Sequence, residues 1–230
     1  MNASRHTFTN FEDALTALRE NILMMGSLTE RNLLRATNGL LKRDSELCNA
    51  AIVDDEEVDL LEKEIDLTGI EIITRYQPVA SDLRVVVSAM RISSNLERIA
   101  DQATSIARRA RKLNQHPSLD EVVFLEPMLQ KVMSLLRDSL RAYSEHNTEL
   151  ARTFKERDRE IDALNKEVTG RLTGSISQNT DAIPGYLNLI FIARNLERVG
   201  DHSTNIGEDI VFAESAEDIR HSQSRLVADS

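Results

Sequence analysis

Four pairs of acids spaced four residues apart are the groups in this chain best placed to do chemistry: Asp55/Asp59, Glu97/Asp101, Asp158/Asp162 and Glu197/Asp201. On a helix, residues four apart are neighbours, about 5–6 Å between Cβ atoms, so each pair sets two carboxylates on one face. Like charges that close repel unless something positive stands between them. A hard or borderline cation does this, taking oxygen ligands at about 2.0–2.6 Å from both side chains. A salt-bridged surface is the other reading. Arg194 lies three residues before Glu197 and Arg108 seven after Asp101, so arginines could neutralise the pairs without metal. Spacing alone leaves both readings open.

Other chemistries find no footing. A di-metal oxidase in a helical bundle needs inward-facing Glu and a Glu-x-x-His motif on two helices. The histidines are His6, His116, His146, His202 and His221, and none has a glutamate three residues earlier. His202, beside Asp201, is a further possible ligand, with Gln102 at the matching place in the other half. No nucleophile–base arrangement and no Gly-rich phosphate loop is present. Neither catalytic residues nor an organic cofactor are expected.

The elements that must carry these acids are helices. Of 230 residues, 29% are charged and 41% hydrophobic, with 8 Gly, 4 Pro, no Trp and 4% aromatics. The materials of a sheet core are missing, which excludes an all-β fold. The net charge of −10 (28 basic against 38 acidic residues) argues against nucleic acid, whose phosphates demand cations. Thr9 and Glu12 form a capping-box pattern before Phe11, Leu15, Leu18, Ile22 and Met25, which step along one helix face. Helix boundaries are expected near 10–42, 44–75, 78–112, 118–146, 147–174 and 181–212. Asp44 and Asn147 serve as caps, Ser118 with Glu121 forms a second capping box, and Gln77 breaks the chain before Pro78. Pro127 requires a kink or a fresh helix start. Met24-Met25 reads as core filling, and Asp54 to Glu57 as a solvated first turn.

The two halves repeat. At an offset of 100, Arg91–Ile106 and Phe191–Ile206 share 8 of 16 residues, including Asn95-Leu-Glu-Arg and Asn195-Leu-Glu-Arg. At an offset of 103, residues 44–65 and 147–168 share 8 of 22. Shared composition does not pair caps with caps and acids with acids, so the fold class expected is all-α. It comprises two tandem three-helix bundles from an internal duplication, six long helices in all. The divisions are 1–115, 116–213 and a polar, disordered tail over 214–230. On the last helix, Leu189, Ile192, Leu196, Val199, Ser203, Ile206 and Ile210 form the buried seam. Glu197 and Asp201 then lie about 140–180° away, towards solvent or a neighbouring edge.

The first residues, from Met1 to Phe8, hold no apolar run, and no stretch approaches the roughly 20 apolar residues of a membrane span. One cysteine, Cys48, makes no internal disulfide. A soluble, cytoplasmic protein is expected.

Glu97-Arg-Ile-Ala-Asp101, Glu197-Arg-Val-Gly-Asp201-His202 with Asn205-Ile206, and Gln77-Pro78-Val-Ala-Ser-Asp82-Leu83-Arg84 resemble the PhoU family. So does Asp55 to Asp59 ahead of Leu-Glu-Lys-Glu. The resemblance runs from about Phe11 to Phe212; the first acid motif departs from the second at Ala100, Gln102 and Ser105. It implies surface multinuclear iron or zinc sites, with Asp55, Asp59, Glu97 and Asp101 as ligands in one half. In the other half the ligands would be Asp158, Asp162, Glu197 and Asp201; magnesium and manganese stay open. It also implies a cytoplasmic homodimer that negatively regulates phosphate uptake. Such a protein links the ATPase subunit of a phosphate ABC transporter to a phosphate-sensing histidine kinase. A PhoU-like accessory of a different transporter, or of metal homeostasis, is the alternative.

Overall fold

A computed structural model describes residues 2–220. Its helices are α1 (Asn2–Leu41), α2 (Ser45–Val53), α3 (Asp55–Tyr76) and α4 (Ser81–Asn114), followed by α5 (Glu126–Glu145), α6 (Thr148–Arg152), α7 (Phe154–Ile176) and α8 (Ile183–Ser215). Short 3₁₀ turns at Asp120–Leu125 and Thr180–Ala182 lead into α5 and α8. No strand occurs among the described residues.

Each half is a triplet: one long helix, a second arm broken near its start, and a third long helix. The breaks fall at Asp54 and Thr153, where six expected helices become eight segments. Both residues keep right-handed backbone angles, so the arms continue without reversing. At Thr153 the hydroxyl donates to the Leu150 carbonyl at 2.7 Å, which competes with the helical ladder. At Asp54 the carboxylate is taken by Arg31 (3.1 Å) and Arg35 of α1, which draws this point against the first helix.

The caps explain most boundaries. The Asp44 carboxylate accepts from the amides of Glu46 and Leu47 at 2.9 and 3.1 Å, and the Asn147 side chain accepts from Leu150 at 2.9 Å. Gln77 takes the left-handed conformation (φ 50°) that ends α3 ahead of Pro78. Two expected starts are moved. α1 begins at Asn2, so Thr9 lies inside the helix. The Ser118–Glu121 box is not formed, because the Glu121 carboxylate accepts instead from the Tyr186 hydroxyl at 2.9 Å. The helix starts afresh at Glu126 with Pro127 in its first turn, where a missing amide costs nothing.

The triplets lie side by side. α4 and α8 form the broadest helix–helix contact, flanked by α1 and α3 on one side and by α5 and α7 on the other. The apolar seams of both halves merge into one core that includes Ile22, Leu33, Ile92, Leu96, Leu136, Phe154, Leu189 and Leu196. Met25 is fully buried in it, but Met24 is 56% exposed, so only one of that pair fills the core. Part of the polar tail makes contacts with the helices. Glu214 meets His146 Nδ1 at 2.6 Å, Glu217 meets Arg152 at 2.5 Å, and Ile219 packs on the core. The rest of the expected disordered tail, residues 221–230, lies outside the described residues.

Candidate metal centres

The acids sit along two equivalent seams. In the first half, α3 carries Asp55 and Asp59 while α4 carries Glu97 and Asp101. In the second, α7 carries Asp158 and Asp162 while α8 carries Glu197 and Asp201. The buried faces of these helices hold Val58 and Ile65, Ile161 and Val168, and Leu96 and Leu196 in the core, which turns each acid row to the rim of the helix pair. The rim is not open water. Asp55, Glu97, Asp101, Asp158, Asp162 and Glu197 are half-buried, while Asp59 and Asp201 are exposed. Glu197 is more enclosed than its helical-wheel angle implies, because α8 has helices on both flanks.

Burial and mutual repulsion act together on these carboxyls. Loss of solvation first, then the charge of Asp101, push Glu97 up to about 7. Loss of solvation, then Asp201, Asp162 and Glu197, push Asp158 up to about 7. Asp55, Glu197 and Asp201 are raised as well, mainly by burial and then by acids of their own group. The acids of each seam therefore feel one another across two helices, as the paired spacing requires.

The halves differ in what answers that repulsion. In the first, Arg98 Nε stands 3.3 Å from Glu97 Oε2 and its Nη1 3.5 Å from Asp101 Oδ2. The alignment is poor, and Glu97 Oε2 is left buried without a hydrogen bond. In the second, no ion pair reaches Asp158, Asp162, Glu197 or Asp201 among the described residues, and Asp158 Oδ1 is buried with no hydrogen-bond partner. Arg108 and Arg194, the neutralising arginines suggested by spacing, act at a distance, and neither makes a direct ion pair among the described residues. The charge of Arg108 pulls Asp55 down, and those of Arg194 and Arg198 pull Glu197 down, against burial and the neighbouring acids. Space is also made for Asp158. A Cβ on Gly200 would stand 2.8 Å from Asp158 Oδ1, whereas the first half has Ala100 at the matching position.

These features fit a cation: orphaned buried carboxylate oxygens, carboxyls raised by burial and then by one another, and a backbone cleared beside one of them. The donors are all oxygen, which suits hard and borderline metals. Among the described residues, no three His, Cys, Asp or Glu side chains are already gathered closely enough to hold an ion, so the carboxylates would have to swing inward. His202 faces elsewhere. Its Nδ1 meets Asn95 Oδ1 at 3.1 Å across the α4–α8 contact, and burial followed by Arg98 and Arg198 lowers its pKa. Two further acids join these groups: Glu62, itself four residues before Asp66 and raised by burial and then by it, and Glu208, which acts on Asp158. They fall three residues after Asp59 and seven after Asp201, spacings that also share a helix face.

A double helical triplet with acid rows along the seam between its second and third arms defines the class. The family model described as PhoU domain matches residues 22–110 and 125–210, one match in each half. The chain belongs to the PhoU domain family. It is 33% identical over 219 residues to the phosphate-specific transport system accessory protein PhoU homolog of Pseudomonas putida, covering 95% of this chain and 86% of that one. It is also 33% identical to the phosphate-specific transport system accessory protein PhoU of Serratia marcescens, covering 96% and 91%. The crystal structure of PhoU from Pseudomonas aeruginosa superposes with a TM-score of 0.87 at 31% identity, over 90% of this chain and 100% of that chain.

Proposed function

We propose that the chain is a cytoplasmic regulatory accessory protein of phosphate transport. It restrains phosphate uptake and phosphate-starvation signalling by linking the ATPase subunit of a phosphate ABC transporter to a phosphate-sensing histidine kinase. The observation that carries this reading is the match to phosphate-specific transport accessory proteins over 95% of the chain, both halves included. The acid rows lie at the rim of each half, where a bound cation or a partner could reach them. No helix among the described residues is long and apolar enough to cross a membrane, so attachment there would run through partners.

In this reading Asp158, Asp162, Glu197 and Asp201 hold iron or zinc in one half, and Asp55, Asp59, Glu97 and Asp101 do so in the other, with magnesium or manganese as alternative cations. The metal supplies positive charge. The chain's own part is to hold eight carboxylates at two rims, so that their neutralisation changes the field presented to partners. Residues 1–115 and 116–213 act as the two units, and the working form is a homodimer.

Deletion of the gene in its native strain tests the reading through a phosphate-starvation reporter in phosphate-rich medium. Expression should become constitutive and return to low levels on complementation. A reporter that stays repressed without the gene contradicts it and turns attention to a different transporter or to metal homeostasis.

A further inference from the structure

The duplication provides an internal control for surface residues. Val53 at the end of α2 and Leu60, Leu67 and Ile70 on α3 are exposed by 70%, 59%, 70% and 55%. Their counterparts in the second half, at the offset of 103, are Glu156, Ala163, Gly170 and Thr173, all exposed. The buried register of the two arms is the same, with Val58 and Ile65 matching Ile161 and Val168. The fold therefore does not require large apolar side chains at these outward positions, and only the first half has them.

The four residues step by 7, 7 and 3, which keeps them on one side of the arm over about 25 Å at 1.5 Å per residue. The exposed face around them is acidic: Glu56, Glu57, Asp59, Glu64 and Glu71 against Lys63, Arg75 and Arg31 of α1. Arg31 is held by Glu57 at 2.9 Å and Arg75 by Glu71 at 3.3 Å, which leaves Glu56, Asp59 and Glu64 without an ion pair among the described residues. The corresponding face of α7 is balanced, with Glu156, Glu160 and Glu167 against Arg159, Lys166 and Arg171. An apolar stripe with an acidic border has a definite complement. We propose that this face is a docking site for a basic amphipathic helix of a partner protein, its apolar side on Leu60 and Leu67 and its lysines or arginines over the bordering acids. A second copy of this chain is disfavoured as the occupant, since it would set acid border against acid border. This inference deepens the adaptor reading, and rests on it, by assigning a partner-binding surface to the first half.

The test uses the full chain and a synthetic 20-residue leucine–lysine peptide with leucines at i, i+3, i+4 and i+7 spacing, followed by fluorescence anisotropy. The double variant Leu60→Ala, Leu67→Gln leaves every charge in place and alters only exposed side chains. The expected result is at least a tenfold rise in Kd for the variant, with a scrambled peptide of the same composition binding the wild type at least tenfold more weakly. Equal affinity of wild type and variant would reduce the interaction to general charge attraction and overturn the proposal. So would light-scattering masses showing a wild-type dimer that becomes a monomer in the variant, which assigns the stripe to a second copy. Failure of the adaptor reading is read separately, as an unchanged starvation reporter in the deletion strain.

Discussion

Gly200 lies so close to Asp158 that a Cβ at position 200 would meet Asp158 Oδ1 at 2.8 Å and Ile161 Cδ1 at 3.1 Å. A residue on α8 thus sets where a carboxylate on α7 can stand. Gly200→Ala should displace the Asp158 side chain and lower the affinity of the second half for Zn²⁺ or Mn²⁺ at least tenfold by isothermal titration. The gain of about 1 kcal/mol in helix propensity works against the crowding, so stability should stay within about 1 kcal/mol of wild type.

Replacing Glu197 and Asp201 together by Ala removes two of the four carboxylates on that rim without touching the core. Metal bound to the second half should be lost by elemental analysis, while the helical circular-dichroism signal is kept. Retention of the wild-type metal stoichiometry would show that this pair is not a ligand set.

The raised carboxyls fix the sign of a pH effect. Glu97 and Asp158 hold their protons up to about 7 in the folded chain but release them in the ordinary carboxylate range when unfolded. The folded state binds more protons between those limits, so this contribution to stability is present at low pH and is lost as pH rises through about 7. In chelator, the Tm of Asp158→Asn should change less between pH 5 and pH 7.5 than that of wild type. A divalent cation at pH 7.5 should raise the wild-type Tm.

Much of this arrangement is legible in the residues. The acid pairs, the duplication and the caps at Asp44 and Asn147 all follow from local spacing, because a helix converts sequence distance directly into position on a face. What fails is what depends on neighbours. The Ser118–Glu121 box is lost because Glu121 is engaged by Tyr186, 65 residues away, and the break at Asp54 is held by Arg31 and Arg35 of another helix. The half-burial of Glu197 depends on α8 lying between two other helices, which no single-helix wheel contains. Arg98 lies between Glu97 and Asp101 in sequence, and its reach to both depends on a side-chain rotamer that spacing does not fix.

Close packing across helices gives a stability prediction at a site away from the acids. A Cβ on Gly39 would stand 3.0 Å from the Asp44 carbonyl and 3.1 Å from the Cys48 amide, both backbone atoms at the α1–α2 corner. Gly39→Ala should cost about 1–3 kcal/mol by overpacking, measured by urea denaturation.

The most direct test joins the acid rows to regulation. A deletion strain is complemented with a chain in which Asp158, Asp162, Glu197 and Asp201 are all replaced by Asn or Gln, and the starvation reporter is read in phosphate-rich medium. The variant is predicted to accumulate as a folded protein and yet leave the reporter at least tenfold above the wild-type level. Full repression by that variant would contradict the claim that these carboxylates serve the regulatory task.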